Sequence, residues 1–222
     1  TPLHDAVFYG KNENVVFELL RAGADVKARD DYGNTPLGDA VKMGYLPGVA
    51  LLLDFGADPD LRGNGDRTPL FWAVYLGHID IAVLLLAHGA NADACRTGGW
   101  TLLHEAAGMI PEPYFSVLDA VASEEKIIEY KKRVAHNRSR MVPLLIEAGA
   151  PVDARDECGR TALYVAVDSS DDCVNDELVG ALLAAGADKT IPALDGETPL
   201  QVVHHRNNQV AIKIVSEGVV AE

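Results

Sequence analysis

Cysteine is scarce and poorly placed for chemistry. Cys95, Cys158 and Cys173 are odd in number and form no C-x-x-C pair. They indicate neither a disulfide framework nor a zinc site, and they fit a reducing compartment. Positive charge is short as well, with 19 Lys and Arg against 33 Asp and Glu and a net charge of −14. A phosphate backbone is repelled by such a chain, so nucleic acid is not expected as a partner. A protein of basic or mixed charge fits better, although acidity also keeps a surface-rich chain in solution. No run reaches the about 18 apolar residues of a membrane span, and no signal peptide is visible. The expectation is a soluble, monomeric chain without membrane insertion, cytoplasmic, with nucleus or host-cell cytosol left open. Aromatics make up only 6%, and the two tryptophans, Trp72 and Trp100, stand out for that reason.

What is present is repetition. The stretch Thr68 to Ala90, TPLFWAVYLGHIDIAVLLLAHGA, reads as a helix-turn-helix unit. Thr68 suits a helix cap and Pro69 the first helical position. Gly77 falls where the first helix must stop, because glycine enters the left-handed region without a Cβ clash. Ile79, Ile81, Ala82, Leu84, Leu85 and Leu86 give a second helix with a broad apolar side, closed by Gly89-Ala90. Equivalent starts occur at Thr1, Thr35, Thr68, Thr101, Thr161 and Thr198, stepping by 34, 33, 33, 60 and 37 residues. The closing Gly-Ala pairs, at Gly23, Gly56, Gly89, Gly149 and Gly186, step by 33, 33, 60 and 37. Two independent markers thus agree on a period of about 33, which means a solenoid whose units bury their apolar sides on one another.

With Thr1-Pro2-Leu3-His4 and Leu103-His104-Glu105-Ala106-Ala107 in this register, the chain resembles the ankyrin-repeat family. The resemblance implies an all-α solenoid with short β-hairpin fingers. It would have about six helix-turn-helix repeats, starting near 1, 35, 68, 101, 161 and 198, and would bind partners on its concave inner-helix face and fingertips. Residues 1–222 form one domain in this reading, with a C-terminal cap over about 198–218. Leu102 and Ala162 replace the proline of the motif. Thr1 opens the chain without methionine or a preceding hairpin, so a piece of a longer protein is expected.

The fourth copy carries about 27 extra residues, assigned to an insertion at about 111–140. Pro111 and Pro113 break the inner helix. A short helix is then expected over Tyr114 to Val121, and another from Ser123, with Glu124 and Glu125 at its positive end. Pro143 marks either the start of the outer helix or a kink where the inserted helix runs into it. The product would be a helical protrusion from the convex side. The fifth copy has a longer acidic loop around 168–172 that lacks EF-hand spacing. In the sixth, Asn207 stands where the template has Gly77.

No catalytic constellation is legible. Arg62 to Arg67 is glycine-rich but lacks the Gly-Lys-Ser/Thr of a phosphate loop, and His104-Glu105 lacks the second histidine of H-E-x-x-H. His204 and His205 are adjacent on a helix, which suits chelation poorly. The resemblance gives His4 and His104 a structural role, bonding neighbouring backbone and tying repeats together. No cofactor, metal or small-molecule substrate is expected, and the positions of the family's finger asparagine hold Lys27, Asp60, Asp93, Asp153 and Thr190.

Registering the copies singles out residues that stacking does not require. Trp72 and Trp100 occupy variable, surface-directed positions, with Tyr75 one helical turn from Trp72. Large aromatics and arginine are the usual interface anchors. The expected partner face is Trp72, Tyr75 and Trp100, with Tyr32, Asp39, Lys42, Met43, Arg67, Glu105 and Met109 around them. The bland alternative is that the tryptophans pack on each other or cover the insertion. A second surface is the basic stretch Lys131, Lys132, Arg133, Arg138 and Arg140, which could dock an acidic partner, cover the chain's own acidic surface or touch nucleic acid. The functional expectation is a protein-protein interaction module without catalytic activity. The alternative is a targeting or regulatory part of a larger enzyme or effector, docked through the insertion.

Overall fold

A computed structural model describes residues 1–10, 12–108, 124–168, 175–206 and 209–217, in two units, Thr1–Ala92 and Asp93–Glu222. Met109, Pro111, Pro113, the Tyr114 to Val121 segment, most of the acidic loop after Asp168 and Asn207 lie outside the described residues.

The first unit holds α1 (Pro2–Asp5), continued by a π-helical turn over Ala6–Gly10, then α2 (Glu13–Arg21), α3 (Pro36–Lys42), α4 (Leu46–Asp54), α5 (Pro69–Leu76) and α6 (Ile79–Ala87). The second holds a short hairpin of β1 (Cys95–Arg96) and β2 (Trp100–Thr101), then α7 (Leu102–Ala107), α8 (Glu124–Glu147), α9 (Ala162–Asp168), α10 (Asn175–Ala184), α11 (Pro199–Arg206) and α12 (Gln209–Glu217). Within each unit, odd-numbered helices pack on odd ones and even on even: α3 on α5 and α4 on α6 in the first, α7 on α9 and α8 on α10 in the second. An inner and an outer row of helices result.

Local chemistry explains the starts and stops. Thr35 accepts the Gly38 N–H at 3.0 Å, Thr68 that of Phe71 at 3.4 Å, Thr101 that of His104 at 3.4 Å, and Thr161 that of Tyr164 at 3.3 Å. The caps at Thr101 and Thr161 form without a following proline, so the hydroxyl rather than the ring sets these starts. Thr68→Ala should therefore lower stability by about 1 kcal/mol, measured by urea denaturation. At the far end of each pair, Gly89 has φ +83°, its N–H donates to the Leu86 carbonyl, and the Ala90 N–H donates to that of Leu85. That closure satisfies two carbonyls that the helix leaves open.

Buried aliphatics fill the space between the rows. In the first unit these are Leu3, Leu37, Val41, Leu52, Leu70, Phe71, Val74, Ile81 and Leu85. In the second they are Leu102, Leu103, Met141, Leu145, Leu163, Leu182 and Val203. The fingers are closed mostly by side chains. Asp30 Oδ1 accepts the Tyr32 and Asn34 N–H groups at 2.9 and 2.7 Å, and Asp156 Oδ1 those of Cys158 and Arg160 at 3.0 and 2.8 Å. Among the described residues a strand ladder forms only where Arg96 faces Trp100.

The largest difference from the sequence reading concerns the fourth copy. From Glu124 the chain is one continuous helix through Pro143 to Glu147, so the described part of the added segment and the outer helix are a single element. Pro143 is exposed, while Val134, Arg138, Met141 and Leu145 keep one stripe turned inward across it. Packing along that stripe outweighs the one N–H that proline lacks.

Candidate partner-binding face

In the first unit, α3 and α5 lie side by side and bring Lys42, Arg67, Trp72 and Tyr75 together. The Lys42 ammonium sits 4.6 Å from the centroid of the Trp72 ring and the Arg67 guanidinium 4.9 Å from it. Arg67 is also 5.2 Å from the Tyr75 ring, and the two aromatic rings meet edge to face at 5.8 Å. Both aromatics are half-buried, which leaves part of each ring on the surface. Stacked cations stiffen the aromatic pair, so little side-chain freedom is lost on contact. Lys42 is held from below by Asp39 at 3.7 Å and by the Asn34 side-chain oxygen. Burial pushes the Asp39 carboxyl up and the Lys42 ammonium down, and their mutual attraction opposes both shifts.

In the second unit Trp100 is fixed differently. Its indole N–H donates to Glu105 Oε2 at 2.7 Å, and Arg96 pairs with the same oxygen at 3.3 Å. The Arg96 and Arg160 guanidinium groups lie 5.4 and 5.9 Å from the Trp100 ring, and His104 lies 5.3 Å from it. Arg160 pairs with Asp156 at 2.8 Å, and the Asp156 side chain is buried. Burial alone would raise the Asp156 carboxyl, but the hydrogen bonds and charge of Arg160 hold it below the ordinary 3.8. A depressed folded-state value contributes stability above the unfolded-state value and loses it as pH falls through the folded one. Urea denaturation from neutral pH into the acid range should show this loss below about pH 4, and Asp156→Asn should make the acid limb shallower.

The expected residues separate accordingly. Lys42, Arg67, Trp72 and Tyr75 form one cluster, with Met43 half-buried immediately past the end of α3. Tyr32 is 76% exposed at a fingertip. Asp39 and Glu105, expected at the rim, are each 4% exposed and hold the cations and the indole from beneath. Arg138, expected on the basic surface, is 1% exposed, because its guanidinium turns inward to the Gly108 carbonyl at 2.8 Å and that of Ala106 at 3.4 Å. Arg96, Asn34, Asp156 and Arg160 were missed. The signal for Arg96 was its place opposite Trp100 in a two-residue hairpin, visible only once that ladder is paired.

His4 and His104 are structural. His4 Nε2 donates to the Asn34 carbonyl at 3.1 Å, and His104 Nε2 to that of Arg160 at 2.8 Å. His104 Nδ1 accepts the Thr101 N–H at 3.2 Å, completing a reciprocal cap, and burial keeps the ring neutral by lowering its pKa. The same contact joins copies 30 residues apart in one case and 56 in the other, so the added residues leave the tie between neighbouring copies intact.

Paired helices stacked in two rows within each unit, most of them opened by a threonine cap and closed by glycine, define a helical repeat protein. The family model of ankyrin repeats matches residues 1–63 and 55–118, and this chain belongs to the ankyrin-repeat family. A putative ankyrin repeat protein of Acanthamoeba polyphaga mimivirus is 35% identical over 68 residues, 31% of this chain and 9% of that protein. The chain therefore spans about a tenth of the length of the curated relative it matches. Among solved structures, an ankyrin repeat domain of Acinetobacter baumannii superposes with a TM-score of 0.76 at 26% identity, covering 96% of this chain and 95% of the other. The human ASB11 ankyrin repeat domain gives 0.73 at 24% identity, covering 99% and 83%. A chain in the complex of a Bdellovibrio bacteriovorus predatory endopeptidase with an immunity protein gives 0.67 at 25% identity, covering 99% and 98%. Ankyrin repeats are in general protein-interaction modules, and their domains are typically non-catalytic. Among the described residues no helix is long and apolar enough to cross a membrane.

Proposed function

We propose that this chain is a protein-interaction module without catalytic activity of its own, engaging a partner protein of mixed charge through residues of its inner helices and fingers. The observation that carries the reading is the cluster on α3 and α5, where two cations stack on the half-buried Trp72 and Tyr75. Such a cluster adds nothing to the aliphatic packing between the helix rows, yet it has the composition of an interface anchor. Trp100, framed by Arg96 and Arg160, is the corresponding anchor of the second unit. Met43, Tyr32 and Met109 would extend the contact. One fold relative stands in a complex of an endopeptidase with an immunity protein, which agrees with a binding role. Affinity capture with wild type, Trp72→Ala and Trp100→Ala tests the reading: loss of captured partner in folded variants supports it, and equal capture by all three removes it. If the captured protein proves to be a substrate of an enzyme joined to this array, the role is targeting rather than scaffolding.

A further inference from the structure

The outer helices of the first unit, α2, α4 and α6, are 9 residues each, whereas α8 has 24. The glycine that follows each outer helix, Gly89 after α6 and Gly149 after α8, aligns the last nine residues of α8 with a normal outer helix. Residues 124–138 are thus an extension of about 22 Å at the helical rise. Its inward side is held by Val134, Ala135 and Arg138. Its outward side presents Lys126, Lys132, Arg133 and, at the second residue of the regular part, Arg140, all exposed. The carboxylates near them are Glu124 and Glu125 beside Lys126, Glu129 one turn on from Glu125, and Glu177 of α10, which pairs with His136 at 2.9 Å.

The charge of α8 is opposite to that of the rest of the chain. It carries six Lys and Arg against four Glu, which leaves 13 cations and 29 carboxylates elsewhere. Solvation alone would be served by either sign, and the surrounding residues use negative charge. A rigid helix, longer than stacking needs and basic within an acidic protein, has the electrostatics of a docking element.

We infer that the outward face of this α8 extension docks an acidic segment of a partner protein. A protein segment suits it better than a nucleic acid: Glu129 sits among the cations, and a phosphate backbone running past the helix would meet the acidic remainder of the chain. Of the basic surface anticipated from the sequence, Lys132, Arg133 and Arg140 lie on this face and Lys126 joins them, whereas Arg138 is buried and Lys131 half-buried; the face does not depend on the Trp72 cluster.

The test uses a fluorescein-labelled peptide of alternating Glu and Leu, about as long as the extension, in anisotropy titrations at low ionic strength. Wild type and Trp72→Ala are expected to bind it alike. A Lys132→Glu/Arg133→Glu/Arg140→Glu variant should bind at least about tenfold more weakly with an unchanged helical circular dichroism signal. If charge reversal unfolds the chain, the triple alanine variant at the same positions supplies the readout. No binding by wild type, or equal binding by the folded variant, overturns the proposal. Single-stranded DNA bound as tightly as the peptide would overturn the assignment to a protein segment. Self-association of wild type that the substitutions abolish would reassign the face to a second copy of this chain.

Discussion

Replacing Arg138 with methionine is expected to lower stability by about 3 kcal/mol, although the substitution keeps an unbranched apolar stem and removes an apparent surface charge. The reason lies at the end of α7. In the first unit α3 and α5 are each followed by a left-handed glycine, Gly44 and Gly77: at Gly77, φ is +71° and the backbone folds back to serve the last carbonyls. At Gly108 the backbone is extended instead, with ψ −179°, as the chain leaves for the added segment. The Arg138 guanidinium then returns from α8 to the Ala106 and Gly108 carbonyls, where the helix dipole also favours a cation. Methionine fills the volume but cannot donate, so the buried carbonyls lose the hydrogen bonds that replaced water. Urea denaturation should show the full loss, while exposed Lys132→Met should stay within about 0.5 kcal/mol of wild type. A loss at Arg138 no greater than at Lys132 would show that other groups close this helix end.

Trp72→Ala is expected to weaken partner binding by about 2 kcal/mol, roughly thirtyfold, with a nearly unchanged melting transition. The indole is half-buried, its neighbours are the aliphatic stems and charges of Lys42 and Arg67, and both cations regain water when the ring is removed. Trp100 behaves differently. Its N–H holds the buried Glu105 carboxylate, so Trp100→Ala should cost about 1 kcal/mol of stability as well as binding. Trp100→Phe keeps a ring for the partner while removing the same donor, and comparing the two separates the anchor from the hydrogen bond.

Local signals made much of this fold legible. Threonine caps, closing glycines and their spacing are short-range devices, and the caps act at Thr35, Thr68, Thr101, Thr161 and Thr198 but not at Thr1, whose side chain caps no backbone N–H. The histidine ties came from the family resemblance instead, because the carbonyls they reach, those of Asn34 and Arg160, lie 30 and 56 residues away in sequence. Long-range packing was less accessible. Asp39 and Glu105 have the composition of rim residues, and only the pairing of Asp39 with Lys42, and of Glu105 with Trp100 and Arg96, draws them inward. Arg138 belongs to a visibly basic run, and its burial depends on a helix end 30 residues away in sequence. Pro143 offered two readings, and the stripe from Val134 to Leu145 decided between them only when set against α10. Charge and periodicity identify which residues are chemically capable, whereas contact across helices decides which of them face outward.

The most direct test of the binding account is quantitative capture of a partner by folded Trp72→Ala beside wild type, with melting curves recorded on the same preparations. The account predicts matching melting transitions and about thirtyfold weaker binding by the variant. Equal binding by the two proteins would contradict it.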